Sequence, residues 1–238
     1  MSFEKKNNIE KIITNPFLIF KVDNFFDEKF YNDLKKLLEL EINDLTINPS
    51  GKLSKSVYAN TTKEARLAYK DPEMQEIFDK FCNIIFSRDF FYYWAKQIYF
   101  PHLMNNHNSL RILKYIRYPK PIIPGFKSSL DFLFSSISTN FSFSYIKNKG
   151  GIFPHVDSIR KYLSLMIYFP DDNANDIEYG TTFYKSNVKN YTNYHVDELS
   201  KITEFKKNSK LIYKTPFEAN CVYGFLRNNV SWHTVKPL

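Results

Sequence analysis

Hydrophobic positions in the first half of the chain recur at helical spacing. Behind Asp27, which is suited to cap a first helical turn, the apolar residues of one helix face are Phe30, Tyr31, Leu34, Leu37 and Leu38. Asp71 followed by Pro72 predicts a second helix start, because proline is tolerated at the first helical position. The apolar stripe behind it is Met74, Ile77, Phe78, Phe81, Ile84 and Ile85. A third, aromatic helix is expected over residues 88–98.

The second half of the chain changes to short runs of β-branched and aromatic residues bounded by turn residues, a pattern typical of strands. These runs cover residues 111–118, 141–148, 162–169, 181–186, 210–215 and 221–227, and an earlier run at 16–22 predicts a strand entering the core. Strands that follow helices indicate an α+β fold with a mainly β core. We expect a double-stranded β-helix (jelly roll) with supporting N-terminal helices. The 238 residues suit a single domain, with 1–108 mostly helical support and 109–238 the jelly-roll core.

Composition and charge narrow the classes of function. The net charge is +8, but the lysines are scattered along the chain, so a nucleic-acid partner is not expected. Cys82 and Cys221 have no nearby cysteine and are interpreted as buried thiols, which suits a reducing compartment. The first residues are polar and no apolar run approaches the ~20 residues that a membrane span needs. The expected location is cytoplasmic, without a membrane span.

The stretch that carries chemistry is GGIFPHVDSIRKYLSLMIYFP, residues 150–170. His155 and Asp157 are two residues apart, so on an extended segment their side chains point to the same side. His233, in the strand-like stretch NNVSWHTV, supplies a third ligand. Two histidines and one carboxylate form the facial triad of non-haem iron(II) oxygenases, which leaves open coordination positions. These three residues are therefore the predicted metal ligands and catalytic centre.

Other histidines have simpler interpretations. A second His-x-Asp pair, His195 and Asp197, precedes a short helical pattern in which Leu199, Ile202 and Phe205 recur. Asp197 is suited to cap that helix, so His195 is interpreted as a loop residue. His102 and His107 lie among asparagines and are interpreted in the same way.

The order and spacing of several motifs resemble the prolyl-4-hydroxylase-like branch of the iron(II)/2-oxoglutarate dioxygenase superfamily. The matching pieces span almost the whole chain; they are the opening NPFLIFKVDNFFDEKFYNDL, Tyr145, His155-Val156-Asp157, the strand SLMIYFP ending at Pro170, YGTTF ending at Phe183, and WHTV around His233. The resemblance implies iron(II) on His155, Asp157 and His233. It also implies that Tyr145 and Tyr168 contact 2-oxoglutarate through their hydroxyls.

The activity that the resemblance implies is hydroxylation of a small molecule or a protein side chain. Dioxygen and 2-oxoglutarate would be consumed, succinate and carbon dioxide would be released, and ascorbate would have a supporting role. Asp157 argues against a halogenase, because halogenases of this fold leave the carboxylate position to halide.

One feature departs from the family pattern. Relatives place a basic residue about eight to ten positions past the distal histidine, where it pairs with the far carboxylate of 2-oxoglutarate. The sequence ends at Leu238, five residues past His233. Three explanations are open: the chain is truncated, another basic residue substitutes, or the cosubstrate site is altered. The nearest substitutes in sequence are Arg160, Lys161 and Arg227, and Arg160 is the one we assign to the cosubstrate.

Three functional hypotheses follow. The first is a 2-oxoglutarate-dependent hydroxylase. The second is a metal-binding jelly roll of the cupin type that uses the same triad without 2-oxoglutarate. The third is a binding module on a degenerate oxygenase fold. Succinate production from 2-oxoglutarate in the presence of iron separates the first from the other two.

Overall fold

The structure is a computed structural model that describes residues 8–41, 46–47, 52–58, 69, 71–99, 139–146, 151–158, 161–170, 179–188 and 199–235. The chain forms two compact units, of which unit 1 is residues 1–5 and 55–143 and unit 2 is residues 6–54 and 144–238. Helices and antiparallel strands are both present, with mainly β content, which confirms the α+β prediction at that level. The single-domain prediction stays a prediction.

The described elements follow the predicted order of patterns. The helices are α1 (Glu28–Glu41), α2 (Pro72–Ile85), α3 (Arg88–Trp94), which continues into a π-helical turn (Ala95–Tyr99), and α4 (Leu199–Asn208). The strands are β1 (Glu10–Ile13), β2 (Ile19–Val22), β3 (Thr46–Ile47), β4 (Lys52–Tyr58), β5 (Asn140–Ile146), β6 (Ile152–His155), β7 (Leu163–Ile167), β8 (Thr181–Ser186), β9 (Ser209–Lys214), β10 (Val222–Leu226) and β11 (Trp232–Val235). The run at 111–118 lies outside the described residues.

The helix starts are set by local capping. The Asp27 carboxylate accepts a hydrogen bond from the Phe30 amide at 3.2 Å, and Asp71 accepts one from the Glu73 amide at 2.9 Å. Pro72 is the first residue of α2. A side-chain oxygen at the cap satisfies an amide that has no partner within the helix. Both predicted caps are therefore confirmed.

Helix α2, in unit 1, buries part of its predicted apolar stripe, while Met74, Ile77 and Ile84 of that stripe are half-buried. Phe78, Phe81, Cys82 and Ile85 are buried, and the rings of Phe81 and Phe141 lie 4.9 Å apart in an edge-to-face contact. Cys82 is a free buried thiol, as predicted from its place in an apolar helical run. The core of this unit is therefore largely aromatic, which agrees with the high share of Phe in the chain.

Unit 2 contains two four-stranded antiparallel sheets. Their strand orders are β1-β2-β10-β7 and β6-β11-β8-β9. Phe17, Ile19 and Phe225 from the first sheet and its leading segment form one buried cluster with Phe183 from the second. Side chains of the two sheets therefore pack together in one aromatic cluster.

Helix α1 packs beside the first of these sheets. The Tyr31 ring stacks on the Phe169 ring at 4.9 Å, and the Tyr31 hydroxyl donates a 2.9 Å hydrogen bond to the Tyr168 carbonyl. The early segment of β1, β2 and α1 thus belongs to the same unit as the later strands. Among the described helices of the chain, none has both the length and the apolar character to cross a membrane.

Candidate metal centre

The three predicted ligands meet at one end of the second sheet. His155 is the last residue of β6 and His233 lies in β11, where the two residues are direct cross-strand partners. Their rings are 4.1 Å apart. Asp157 follows β6 by two residues and is buried. Antiparallel pairing of β6 with β11 therefore brings His233 to the pair that the sequence places on one side of an extended segment.

Hydrogen bonds to the backbone orient both imidazole rings. Nδ1 of His155 lies 2.8 Å from the Phe153 carbonyl oxygen, and Nδ1 of His233 lies 3.0 Å from the Ser231 carbonyl oxygen. A carbonyl only accepts, so in the neutral ring Nδ1 carries the proton and Nε2 keeps its lone pair. Metal-binding histidines are commonly held by such a bond from the second ring nitrogen.

Apolar packing holds His233 from its other side. The His233 ring lies 4.7 Å from the Phe225 ring and 6.1 Å from the Phe183 ring. Phe183 is also the cross-strand partner of His233 in β8. The surrounding aromatic rings limit both the rotation of the imidazole and the access of water.

The Asp157 carboxylate has a different partner on each oxygen. Oδ2 accepts a 2.6 Å hydrogen bond from the Ser164 hydroxyl, and Oδ1 accepts a 2.7 Å bond from the Lys161 ammonium. Oδ1 lies 3.9 Å from Nε2 of His155. Burial alone would raise the pKa of Asp157, but the positive charge that His233 carries when it is protonated, the charge of Lys161 and these hydrogen bonds outweigh burial and hold the pKa of Asp157 well below its usual range. The residue is therefore a carboxylate, the form that binds metal.

The donor set fits a metal ion. One ligand atom from each of His155, Asp157 and His233 lies within 4.8 Å of the other two. Bonds of ~2.1 Å at right angles would put neighbouring donor atoms about 3.0 Å apart, about 1 Å less than the 3.9 Å between Nε2 of His155 and Oδ1 of Asp157. Imidazole and carboxylate ligands suit a divalent transition metal such as iron(II). These residues could therefore hold a metal ion.

Arg227 forms hydrogen bonds both to the segment that contains Asp157 and to the turn that precedes β11. Its Nε donates a 3.0 Å hydrogen bond to the Asp157 carbonyl, and its amide donates a 2.9 Å bond to the Tyr162 carbonyl. Its Nη1 donates a 2.9 Å bond to the Asn229 side chain, in the turn that leads to β11. Arg227 and Lys161, which the sequence offered as partners of a cosubstrate carboxylate, thus both contact the metal-ligand segment. Arg160 lies outside the described residues.

The Tyr168 hydroxyl forms hydrogen bonds within the protein. Its hydroxyl lies 2.8 Å from the Thr181 hydroxyl and 2.9 Å from the Thr215 hydroxyl, and it accepts a 3.1 Å bond from the Thr181 amide. Burial raises the pKa of Tyr168, so the phenol stays protonated. Contact of Tyr168 with 2-oxoglutarate stays a prediction. Tyr145 lies in β5, and its side chain is outside the described residues.

A second polar cluster in the same unit was not predicted. The Lys21 ammonium lies 2.8 Å from Asp23 and 2.6 Å from Glu218, and the Tyr223 hydroxyl donates a 3.0 Å bond to Glu218. Asp23, Glu218 and Cys221 also have metal-ligand spacing, but the Lys21 ammonium bonds to both carboxylates. Burial raises the pKa of the Cys221 thiol to about 12, so the thiol stays protonated. The sequence feature that could have indicated this cluster is Lys21, a charged residue inside the apolar run at 16–22.

The alternative histidines, His102, His107 and His195, lie outside the described residues, as does Asp197. Helix α4, expected behind Asp197, is present, and Phe205 of its predicted face is buried. Comparison of the chain with protein-family models and with curated proteins finds no match.

Proposed function

We propose that this protein is an iron(II)- and 2-oxoglutarate-dependent dioxygenase on a jelly-roll fold, and that it hydroxylates a small molecule or a protein side chain. The observation that carries the proposal is the convergence of two imidazoles, each oriented through its Nδ1, on one buried carboxylate. The two antiparallel sheets of unit 2, which share a buried aromatic cluster, support the fold part of the proposal.

Each protein group has a defined task in this proposal. His155 and His233 provide Nε2 lone pairs, and Asp157 provides one negative charge, so the site keeps a net positive charge once a divalent ion is bound. An iron(II) ion held by these three residues would supply activation of dioxygen, coupled to oxidative decarboxylation of the 2-oxo acid. Ser164 keeps the carboxylate from rotating, and Phe183 and Phe225 restrict water beside His233. A basic side chain is still required for the far carboxylate of 2-oxoglutarate, and Arg160 remains our assignment, with Tyr145 and Tyr168 as further contacts.

The test is succinate formation by protein reconstituted with iron(II) without oxygen and then supplied with dioxygen, ascorbate and 2-oxoglutarate. We expect slow turnover of 2-oxoglutarate even without the primary substrate. The succinate formed is measured by NMR. His155→Ala and His233→Ala should abolish both metal binding and succinate formation. His195→Ala is the matched control, because His195 belongs to the second His-x-Asp pair and should behave as the wild type. Unchanged metal binding by His155→Ala would show that the triad assignment is wrong.

A metal-binding protein of the cupin type is the second candidate. It is favoured by the internal pairing of the described basic residues nearest the site, since Lys161 bonds to Asp157 and Arg227 bonds to the Asp157 backbone. Calorimetric titration of the metal-loaded protein with 2-oxoglutarate distinguishes the two candidates. Metal binding through the triad with no 2-oxoglutarate binding would favour the cupin type, and absence of metal binding would favour a binding module on a degenerate fold.

A further inference from the structure

Lys161 is bonded to the carboxylate oxygen that a metal ion at this site would need. Oδ2 of Asp157 is bonded to the Ser164 hydroxyl at 2.6 Å, which leaves Oδ1 to face the histidines. Oδ1 is the oxygen 3.9 Å from Nε2 of His155, and it is also the oxygen 2.7 Å from the Lys161 ammonium. The ammonium and an incoming cation therefore share one acceptor.

The anion in this pair is fixed, whereas the cation is free to move. The Asp157 side chain is 6% exposed and the Lys161 side chain is 53% exposed. A buried carboxylate without a counter-charge is costly, and the neutral Ser164 hydroxyl supplies only a hydrogen bond. Lys161 therefore stabilises the metal-free protein. Its long, half-exposed stem allows the ammonium to move into solvent without disturbing the backbone.

We infer that Lys161 is a placeholder cation: it neutralises Asp157 in the metal-free protein and leaves Oδ1 when the metal ion binds. This inference rests on the metal site of the proposed function. A divalent ion and an ammonium on the same oxygen repel each other, and the low dielectric around Asp157 strengthens that repulsion. The flexible, half-exposed lysine is the partner that moves, since Asp157 is held by Ser164 and its carbonyl by Arg227.

An orienting role for Lys161 predicts the opposite sign of effect. Residues that orient a metal ligand strengthen metal binding, and removing one typically weakens affinity about ten- to hundredfold. Removing a competing cation strengthens affinity instead. The sign of the change in metal affinity therefore decides between the two roles.

The experiment compares wild type, Lys161→Met and Lys161→Arg as full-length chains, with Lys206→Met, an exposed lysine of α4, as the control for net charge. Chelator-treated protein is titrated with cobalt(II) by calorimetry, and thermal unfolding is recorded with and without cobalt(II). We expect Lys161→Met to bind cobalt(II) about five- to tenfold more tightly, with a lower unfolding temperature only in the absence of metal. Lys161→Arg and Lys206→Met should stay close to the wild type.

Weaker cobalt(II) binding by Lys161→Met would overturn the inference in favour of an orienting role. Unchanged affinity would also overturn it, since the pair would then have no effect on metal binding. His155→Ala separates these results from failure of the proposed function: if wild type and His155→Ala bind cobalt(II) equally, or neither binds, the metal site itself is wrong. If Lys161→Met does not fold, Lys161→Gln makes the same comparison.

Discussion

Replacing Ser164 with alanine tests whether the buried carboxylate is held as described. The Ser164 hydroxyl donates a 2.6 Å hydrogen bond to Oδ2 of Asp157, and Lys161 bonds only to Oδ1. The substitution removes one oxygen atom and leaves no apolar cavity. It therefore isolates a hydrogen bond to a buried charge.

The expected magnitude follows from the charge of the acceptor. A hydrogen bond to a charged group contributes about 1.5–3 kcal/mol to stability, whereas a bond between neutral groups contributes about 0.5–1.5 kcal/mol. Ser164→Ala should thus lower the free energy of unfolding of the metal-free protein by about 1.5–3 kcal/mol. Metal affinity should fall by about ten- to hundredfold, because the carboxylate is no longer held in one rotamer.

The assay is urea unfolding of the metal-free protein, followed by calorimetric titration with cobalt(II). Ser209→Ala is the matched control, because the Ser209 hydroxyl donates a bond of similar length, 2.7 Å, to the neutral Ser186 hydroxyl. The control should lose less stability than Ser164→Ala and keep the wild-type metal affinity. Equal losses for the two variants, with unchanged metal affinity, would refute the argument that Ser164 supports a charged metal ligand.

Three further predictions concern the core and the charges of unit 2. Gly224→Ala should destabilise the protein by about 1–3 kcal/mol in urea unfolding, because an added Cβ would lie 2.2 Å from Cζ of the buried Phe20 ring; wild-type stability would contradict this register of β2 on β10. Tyr168→Phe should cost about 1–3 kcal/mol, since its removed hydroxyl has three internal partners, and wild-type stability would indicate that the hydroxyl is not bonded internally. Wild type should be more stable than Asp157→Asn at pH values above the carboxyl pKa of the unfolded chain, about 3.9. This difference in stability should decline as the pH falls from there towards the lower pKa of Asp157 in the folded protein. Urea midpoints at a series of pH values test this, and a difference that does not change with pH would contradict the lowered pKa.

Features that depend on near neighbours in the sequence were predicted correctly. Asp27 and Asp71 cap helices because a cap depends only on a side-chain oxygen and the next few amides. The runs at 181–186 and 210–215 match β8 and β9 closely, since short runs of β-branched and aromatic residues bounded by turn residues are typical of strands. The common side of His155 and Asp157 follows from the two-residue periodicity of an extended segment.

Features that depend on which strands pair could not be predicted from the sequence. The hydrophobic pattern does not indicate that β2 lies beside β10, with Gly224 opposite Phe20. It also does not show that Lys21 would pair with Glu218 across the chain. Such contacts depend on register, and a slip of one residue would turn every side chain of a strand to the opposite face.

For the candidate site, the sequence by itself determined which groups are candidate ligands: two imidazoles and a carboxylate, with His155 and Asp157 on one side of an extended segment. The tertiary structure decided how these groups are held, through the pairing of β6 with β11 and the separate partners of the two Asp157 oxygens. The physical reason is that side-chain type and local periodicity are encoded residue by residue. Burial, protonation and the choice of hydrogen-bond partner arise only when distant segments pack and exclude water.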